Sequence, residues 1–261
     1  MDRFKNKIVL ITGAAKGIGL NILKSFVKEG AILICFDLEK INEEELQNDL
    51  NEFKDQINCY KVDLNNSSQF FTLISEIEKT FGVIDILINN AAIKNKNNIF
   101  QEDLSSWDSA MNVMLKAPFF LSQLVLKIMQ KKNSGVIINI ASISGRFVSL
   151  ESPSYQIAKA GLIHMTRYFA KNAGNYGIRC NAIAPGFIVK DEHINMFLSQ
   201  ANKKYKKSCE KYHPMRNFGK SEDISKAVMF LCSNDANFIN GETLYIDGGL
   251  TIQDPFIFSF E

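Results

Sequence analysis

Ile8-Val9-Leu10-Ile11-Thr12-Gly13-Ala14-Ala15-Lys16-Gly17-Ile18-Gly19 is the stretch that decides the fold. An apolar, β-branched run stops at Thr12, glycines stand at 13, 17 and 19, and an amphipathic pattern over about 17–29 begins at once. Strand, glycine-rich turn and helix in that order make a cradle for a diphosphate. Glycine lets the backbone turn tightly and approach the ligand, whose charge then meets N–H groups at the helix N-terminus, around Ile18. Glycines alone mark any turn; the strand before and the helix after give these their meaning. Asp37 closes the next apolar run, where a carboxylate accepts both hydroxyls of an adenosine ribose and repels a 2′-phosphate. NAD is therefore expected in preference to NADP. Lys16 is the competing signal, because an ammonium in this loop suits a 2′-phosphate; a solvated loop lysine is the plainer reading.

The alternation continues to the end of the chain. Strands are expected near 7–12, 31–36, 57–62, 84–89, 135–141, 178–183 and 242–246, with helices near 17–29, 42–54, 66–81, 104–131, 154–175 and 222–233. Runs such as Ile84-Asp85-Ile86-Leu87-Ile88 are almost continuously apolar, as strands covered by helices on both faces must be. The expected architecture is a single-domain α/β, Rossmann-like doubly wound fold over 1–261, with about seven parallel strands between two layers of helices. Residues 187–217 fall outside the alternation and contain Lys203-Lys204-Tyr205-Lys206-Lys207. A solvated helix face accounts for this charge. Its functional reading is a substrate lid favouring an anionic substrate, and a surface lying on acidic lipid is a poorer third.

Composition removes several classes. With 46% hydrophobic residues in 261, the chain can bury a sizeable core. Thirty Lys+Arg against 28 Asp+Glu leave +2, so a nucleic-acid partner is not expected. The five cysteines are scattered and never paired as C-x-x-C, which argues against a disulfide framework or zinc and fits a cytoplasmic setting. His164, His193 and His213 have no ligand spacing, so no metal is expected. No leader pattern opens the chain, no run is expected to reach the length of a membrane span, and no membrane partner is expected.

Beyond the glycine loop, several further motifs resemble the short-chain dehydrogenase/reductase family across essentially the whole chain. The loop itself has that family's T-G-x-x-x-G-I-G spacing. Asp63-Leu64 is similar to its adenine contact, and Asn89-Asn90-Ala91-Ala92 to its Asn-Asn-Ala-Gly segment beside the cofactor, with Ala92 in the last place. Ile178-Arg179-Cys180-Asn181-Ala182-Ile183-Ala184-Pro185-Gly186 resembles the strand and turn beneath the nicotinamide, after which Ile188 offers backbone groups to the carboxamide. Gly241-Glu242-Thr243-Leu244-Tyr245-Ile246-Asp247-Gly248-Gly249 is similar to the closing strand.

Tyr155 and Lys159 form Y-x-x-x-K, which on a helix puts both side chains on one face, and Ser142 precedes them at the family's spacing. The resemblance implies a catalytic Ser142, Tyr155 and Lys159. A phenol with an ordinary pKa of about 10 acts as a base near neutrality only beside positive charge, which Lys159 and oxidised nicotinamide supply. Lys159 is also expected to hold the nicotinamide ribose, and Ser142 to steady charge on the substrate oxygen. The expected cofactor set is thus Gly13, Lys16, Gly17, Ile18, Gly19, Asp37, Asp63, Leu64, Asn90, Tyr155, Lys159 and Ile188. The partner is expected to be a small alcohol or ketone.

Two positions depart from the family pattern. Met114 stands where a catalytic Asn is usual, and Asn112, two residues earlier, should face elsewhere. Lys190 replaces a Thr that contacts the nicotinamide or a phosphate. Two rival readings follow: an NADP(H)-dependent reductase of 3-oxoacyl thioesters, and a cofactor-binding protein with little catalysis. The tail Phe256-Ile257-Phe258-Ser259-Phe260 is too apolar to leave in water. With the family's habit, it implies a homotetramer whose tail touches a neighbour.

Overall fold

The computed structural model describes residues 2–42, 44 and 47–254. β1 (Ile8–Thr12) pairs in parallel with β2 (Ile32–Asp37) on one side and β4 (Ile86–Asn89) on the other. β3 (Ile57–Lys61) extends the sheet beyond β2, while β5 (Gly135–Ile140), β6 (Ile178–Pro185) and β9 (Thr243–Ile246) extend it beyond β4. The order is β3-β2-β1-β4-β5-β6-β9, and every pairing is parallel. Because the winding reverses between β1 and β4, their carboxyl ends bracket a crevice, where open α/β sheets take their ligands.

Side-chain alternation along the strands feeds two cores. Leu10, Ile34, Phe36, Leu87 and Ile137 enter one; Val9, Ile11, Leu33, Ile88 and Ile138 enter the other. The second is covered by α1 (Gly17–Val27) through Ile22, Leu23 and Phe26, and by α8 (Ser221–Cys232) through Ile224 and Val228. The first is covered by α2 (Phe70–Phe81), α3 (Leu104–Met111), α4 (Ala117–Lys132) and α5 (Pro153–Ala173). Each fully buried Leu, Ile or Phe contributes about 1.5–3 kcal/mol relative to exposure, so the two-sided burial holds the sheet edge that carries the site.

Two sequence expectations change. Of the helix expected near 42–54, Glu44 and Gln47 are α-helical, Asn51–Gln56 is instead a 3-10 helix, and residues 43, 45 and 46 lie outside the described residues. Leu104–Lys132 is one continuous helical run, long and apolar enough by length and composition to cross a membrane, contrary to expectation. Its apolar side is spent inward: Val113, Met114, Leu121, Val125, Ile128 and Met129 are buried. A π-helical turn, Asn112–Lys116, joins its two halves, and such turns often sit at functional places.

Residues 187–217, with no regular alternation, fold as short pieces. β7 (Ile188–Val189) pairs with β8 (Gly219–Lys220), and between them lie α6 (Ile194–Leu198) and α7 (Lys203–Tyr212). Val189, Phe197 and Cys209 form their own small core, joined by Phe187, Ile194 and Phe218. The tail from 255 lies outside the described residues, so the aromatic segment has no structural account.

Candidate active site

The glycine loop occupies the crevice between β1 and β4. Gly13 (φ 68°) and Gly17 (φ 58°) take left-handed backbone that other residues adopt only under strain. At Gly19 the constraint is contact: a Cβ there would lie 1.9 Å from the Gly13 carbonyl oxygen. Asn90 ties the loop down, its amide donating to the Thr12 and Gly13 carbonyl oxygens at 3.0 and 2.8 Å. Thr12 Oγ1 accepts from the Asn90 and Ala91 N–H groups at 3.0 and 3.1 Å.

This cradle fits a nicotinamide dinucleotide. α1 begins with no side-chain cap and no acid in its first turn, so its leading N–H groups are left for an anion. Asp37 accepts from the Ala15 N–H through one oxygen at 2.9 Å and from the Glu39 N–H through the other at 3.0 Å. Each oxygen keeps a lone pair for a hydroxyl. Lys16 does not stand ready for a phosphate: its Nζ is bonded to both Glu39 oxygens, at 2.8 and 2.9 Å. That hydrogen bond raises the Lys16 pKa above its ordinary value. Glu39 was missed in the sequence because its partner lies across the loop, though an acid two residues beyond Asp37 was the available signal. The Asp63 carboxylate closes a turn by accepting from the Asn65 N–H at 2.9 Å, and the Leu64 side chain is buried in the core. Ile188 is partly buried in β7, and Ile18 partly buried at the first turn of α1.

The second half of the site lies at the ends of β5 and α5. Ser142 follows β5 and accepts from the Ser144 N–H at 3.1 Å. Ser152 caps α5 and Pro153 opens it, and one turn places Tyr155 and Lys159 on the same inward face. Burial pushes the Tyr155 phenol up; the charge on Lys94 and a hydrogen bond with Ser142 pull the other way. Lys159 is 2% exposed, its Nζ donates to the Ile140 carbonyl at 2.6 Å, and burial pushes it down to about 7. The structure thus brings Ser142, Tyr155 and Lys159 together beside the crevice.

Met114 is buried in the core that includes Tyr155 and Ala158, and it brings no hydrogen-bonding pair there. Asn112 lines an outer groove with Met111, Leu115, Phe119 and Tyr168, so it does not substitute. Lys190 is not turned to solvent alone: a Cβ on Gly17 would lie 3.0 Å from its Cδ, which puts its chain over the loop. Two groups escaped the sequence reading altogether. Lys94, in the loop after β4, holds its Nζ 5.4 Å from the Tyr155 ring centroid and is paired with Glu151. They are far apart in sequence and carry no spacing signal. Tyr205 of α7 lies within electrostatic reach of both.

Comparison with known proteins agrees with this geometry. The family described as Enoyl-(Acyl carrier protein) reductase matches residues 13–251. The 7alpha-hydroxysteroid dehydrogenase of Bacteroides fragilis is 34% identical over 260 residues, covering 98% of this chain and 99% of that one. The 3-oxoacyl-[acyl-carrier-protein] reductase FabG of Thermotoga maritima is 32% identical, covering 96% and 100%. Among solved structures, ElxO with NADP bound superposes with a TM-score of 0.85 at 31% identity, covering 95% and 99%. A 4-hydroxyisoleucine dehydrogenase complexed with NADH gives 0.84 at 30%, covering 95% and 100%.

Proposed function

The chain belongs to the short-chain dehydrogenase/reductase family of nicotinamide-dependent oxidoreductases, and within it we propose an NAD(H)-dependent enzyme acting on a small alcohol or ketone. The observation that carries the cofactor choice is the ribose end of the crevice. Asp37 keeps lone pairs for two hydroxyls, and Glu39 adds a second negative charge while occupying Lys16. A 2′-phosphate would meet two carboxylates there.

When bound, the nicotinamide supplies the hydride donor or acceptor. The chain's own residues handle the proton and the substrate oxygen. Tyr155 takes the hydroxyl proton in oxidation and returns one to the oxygen in reduction; Ser142 donates to that oxygen and holds it against the phenol. Lys159 holds the nicotinamide ribose and, in its charged form, stabilises the phenolate. Lys190, lying over Gly17, adds a cation for the diphosphate. The segment 187–217 serves as a lid whose small aromatic core moves as a unit over the site, within one domain spanning 1–261.

A second reading, an NADP(H)-dependent reductase of 3-oxoacyl thioesters, is favoured by the FabG relative and the NADP-bound neighbour. Calorimetric titration of the full chain with NADH and NADPH separates the two. Tighter NADH binding that Asp37→Ala narrows supports NAD; tighter NADPH binding by the unmodified chain supports the second reading. Following nicotinamide absorbance with a panel of secondary alcohols, ketones and 3-oxoacyl thioesters then identifies the substrate class. For assembly we propose a homotetramer. One contact is the outer groove of about 550 Å³ between α3–α4 and α5, where Phe120 and Tyr168 are exposed.

A further inference from the structure

Tyr155 is faced by charge from several elements. On its own helix is Lys159, 5.7 Å from the ring centroid. From the loop after β4 comes Lys94, at 5.4 Å. Glu151 precedes the helix and Ser142 follows β5, while Tyr205 of α7 acts on Lys94 and Glu151. The two ammonium groups are therefore almost equally close to the ring, but their surroundings differ. Lys159 is buried and donates to the Ile140 carbonyl, a bond that a neutral amine can make as well as a charged one. Lys94 is half-exposed and ion-paired, so water and a carboxylate both sustain its charge. Met114, buried in the same core as Tyr155, brings no charge.

We propose that Lys94 is a positioning residue for proton transfer, its ammonium, anchored by Glu151, acting as a second fixed cation that steadies negative charge on the Tyr155 oxygen. The inference rests on Tyr155 being the acid/base of the reaction. It assigns a role to a residue outside the Ser-Tyr-Lys set, and it explains how a phenol can ionise here while its usual lysine sits in a site that disfavours charge. Burial draws the Lys94 ammonium down, but the hydrogen bond with Glu151 and the charges of Tyr155, Glu151 and Tyr205 outweigh it and raise the group above its ordinary value. Lys94 thus stays charged through the range in which Lys159, pushed down to about 7, does not. Glu151 has two effects of opposite sign on the phenol: its own charge opposes ionisation, and its grip keeps Lys94 in place.

An ammonium at this separation shifts a phenol midpoint by about 0.5 to 2 pH units, as the effective dielectric constant runs from about 80 to about 20. The test uses the full chain without cofactor. Phenolate absorbance is titrated by rapid pH jump for the parent, Lys94→Gln and Lys94→Arg, each corrected by the same protein carrying Tyr155→Phe. Lys94→Gln should move the Tyr155 midpoint up by about 0.5 to 2 units, while Lys94→Arg keeps it at the parental value. Tyr205, which also feels Lys94, should move the same way and is removed by the Tyr155→Phe correction, while the remaining tyrosines should titrate as before. The pH profile of kcat/KM for an identified alcohol should move the same way, with NADH affinity unchanged. A Tyr155 midpoint indifferent to Lys94→Gln overturns the proposal, as does Lys94→Arg shifting it as far as Lys94→Gln. Failure of the parent to bind NADH would instead refute the functional reading, since the cofactor-free titration does not depend on it.

Discussion

Replacing Lys159 by Met should stabilise the cofactor-free protein, with a sign that depends on pH. The ammonium is 2% exposed and pushed down to about 7 from an ordinary 10.5. Its folded value lies below its unfolded one, so the unfolded chain binds a proton that the folded chain resists. This penalty is fully present below pH 7, shrinks as pH rises from there to the unfolded value, and is absent above it. At about 1.36 kcal/mol per unit, it amounts to about 5 kcal/mol at pH 6 and about 2 kcal/mol at pH 9. Against this, methionine leaves the Ile140 carbonyl without its 2.6 Å donor, at a cost of about 2 kcal/mol. The variant should therefore gain about 3 kcal/mol at pH 6 and break even near pH 9. Thermal unfolding followed by circular dichroism reads this as a rise of roughly 6–12 °C at pH 6 and little change at pH 9. A difference in Tm that is the same at both values would refute the reasoning, because a packing effect has no reason to follow this titration.

Two other substitutions probe the remaining departures. Met114→Asn should raise kcat with little change in KM, by restoring a polar group that can hold a water beside Lys159, at the cost of burying an amide in an apolar core; an unchanged kcat under conditions where solvent isotope effects show proton transfer to be limiting would reject this. Phe120→Glu, placed in the outer groove with a negative charge, should lower the assembly mass measured by light scattering, and an unchanged mass would remove that groove from the interface.

The parts of the molecule visible in the sequence were those set by local chemistry. Glycines 13, 17 and 19 between an apolar run and a helical pattern identify the crevice, because only that backbone turns there. Asp37 declares itself by ending a strand, whereas Tyr155 and Lys159, whose spacing many surface pairs share, stand out only together with Ser142 thirteen residues earlier, through the family resemblance. What stayed hidden depends on chain segments meeting in space. Glu39 reaches across to Lys16, Lys94 to Glu151, and Cys35 stands opposite Cys59 in the register of β2 and β3. None of these pairs has a repeat or a spacing that the sequence displays. The π turn at Asn112–Lys116 interrupts a pattern that reads as one ordinary helix, since an inserted residue changes phase without changing composition. The short pieces within 187–217 escape for the opposite reason: each is shorter than the window over which a period is visible.

The central claim, that Tyr155 moves the proton in a nicotinamide-dependent oxidation or reduction, is tested most directly by Tyr155→Phe measured two ways on one preparation. Calorimetry should give an NADH affinity close to the parental one, because the ring and its packing remain, while turnover of the substrate that the panel identifies should fall by at least about 10²-fold. Turnover that stays near the parental rate with NADH still bound would contradict the account.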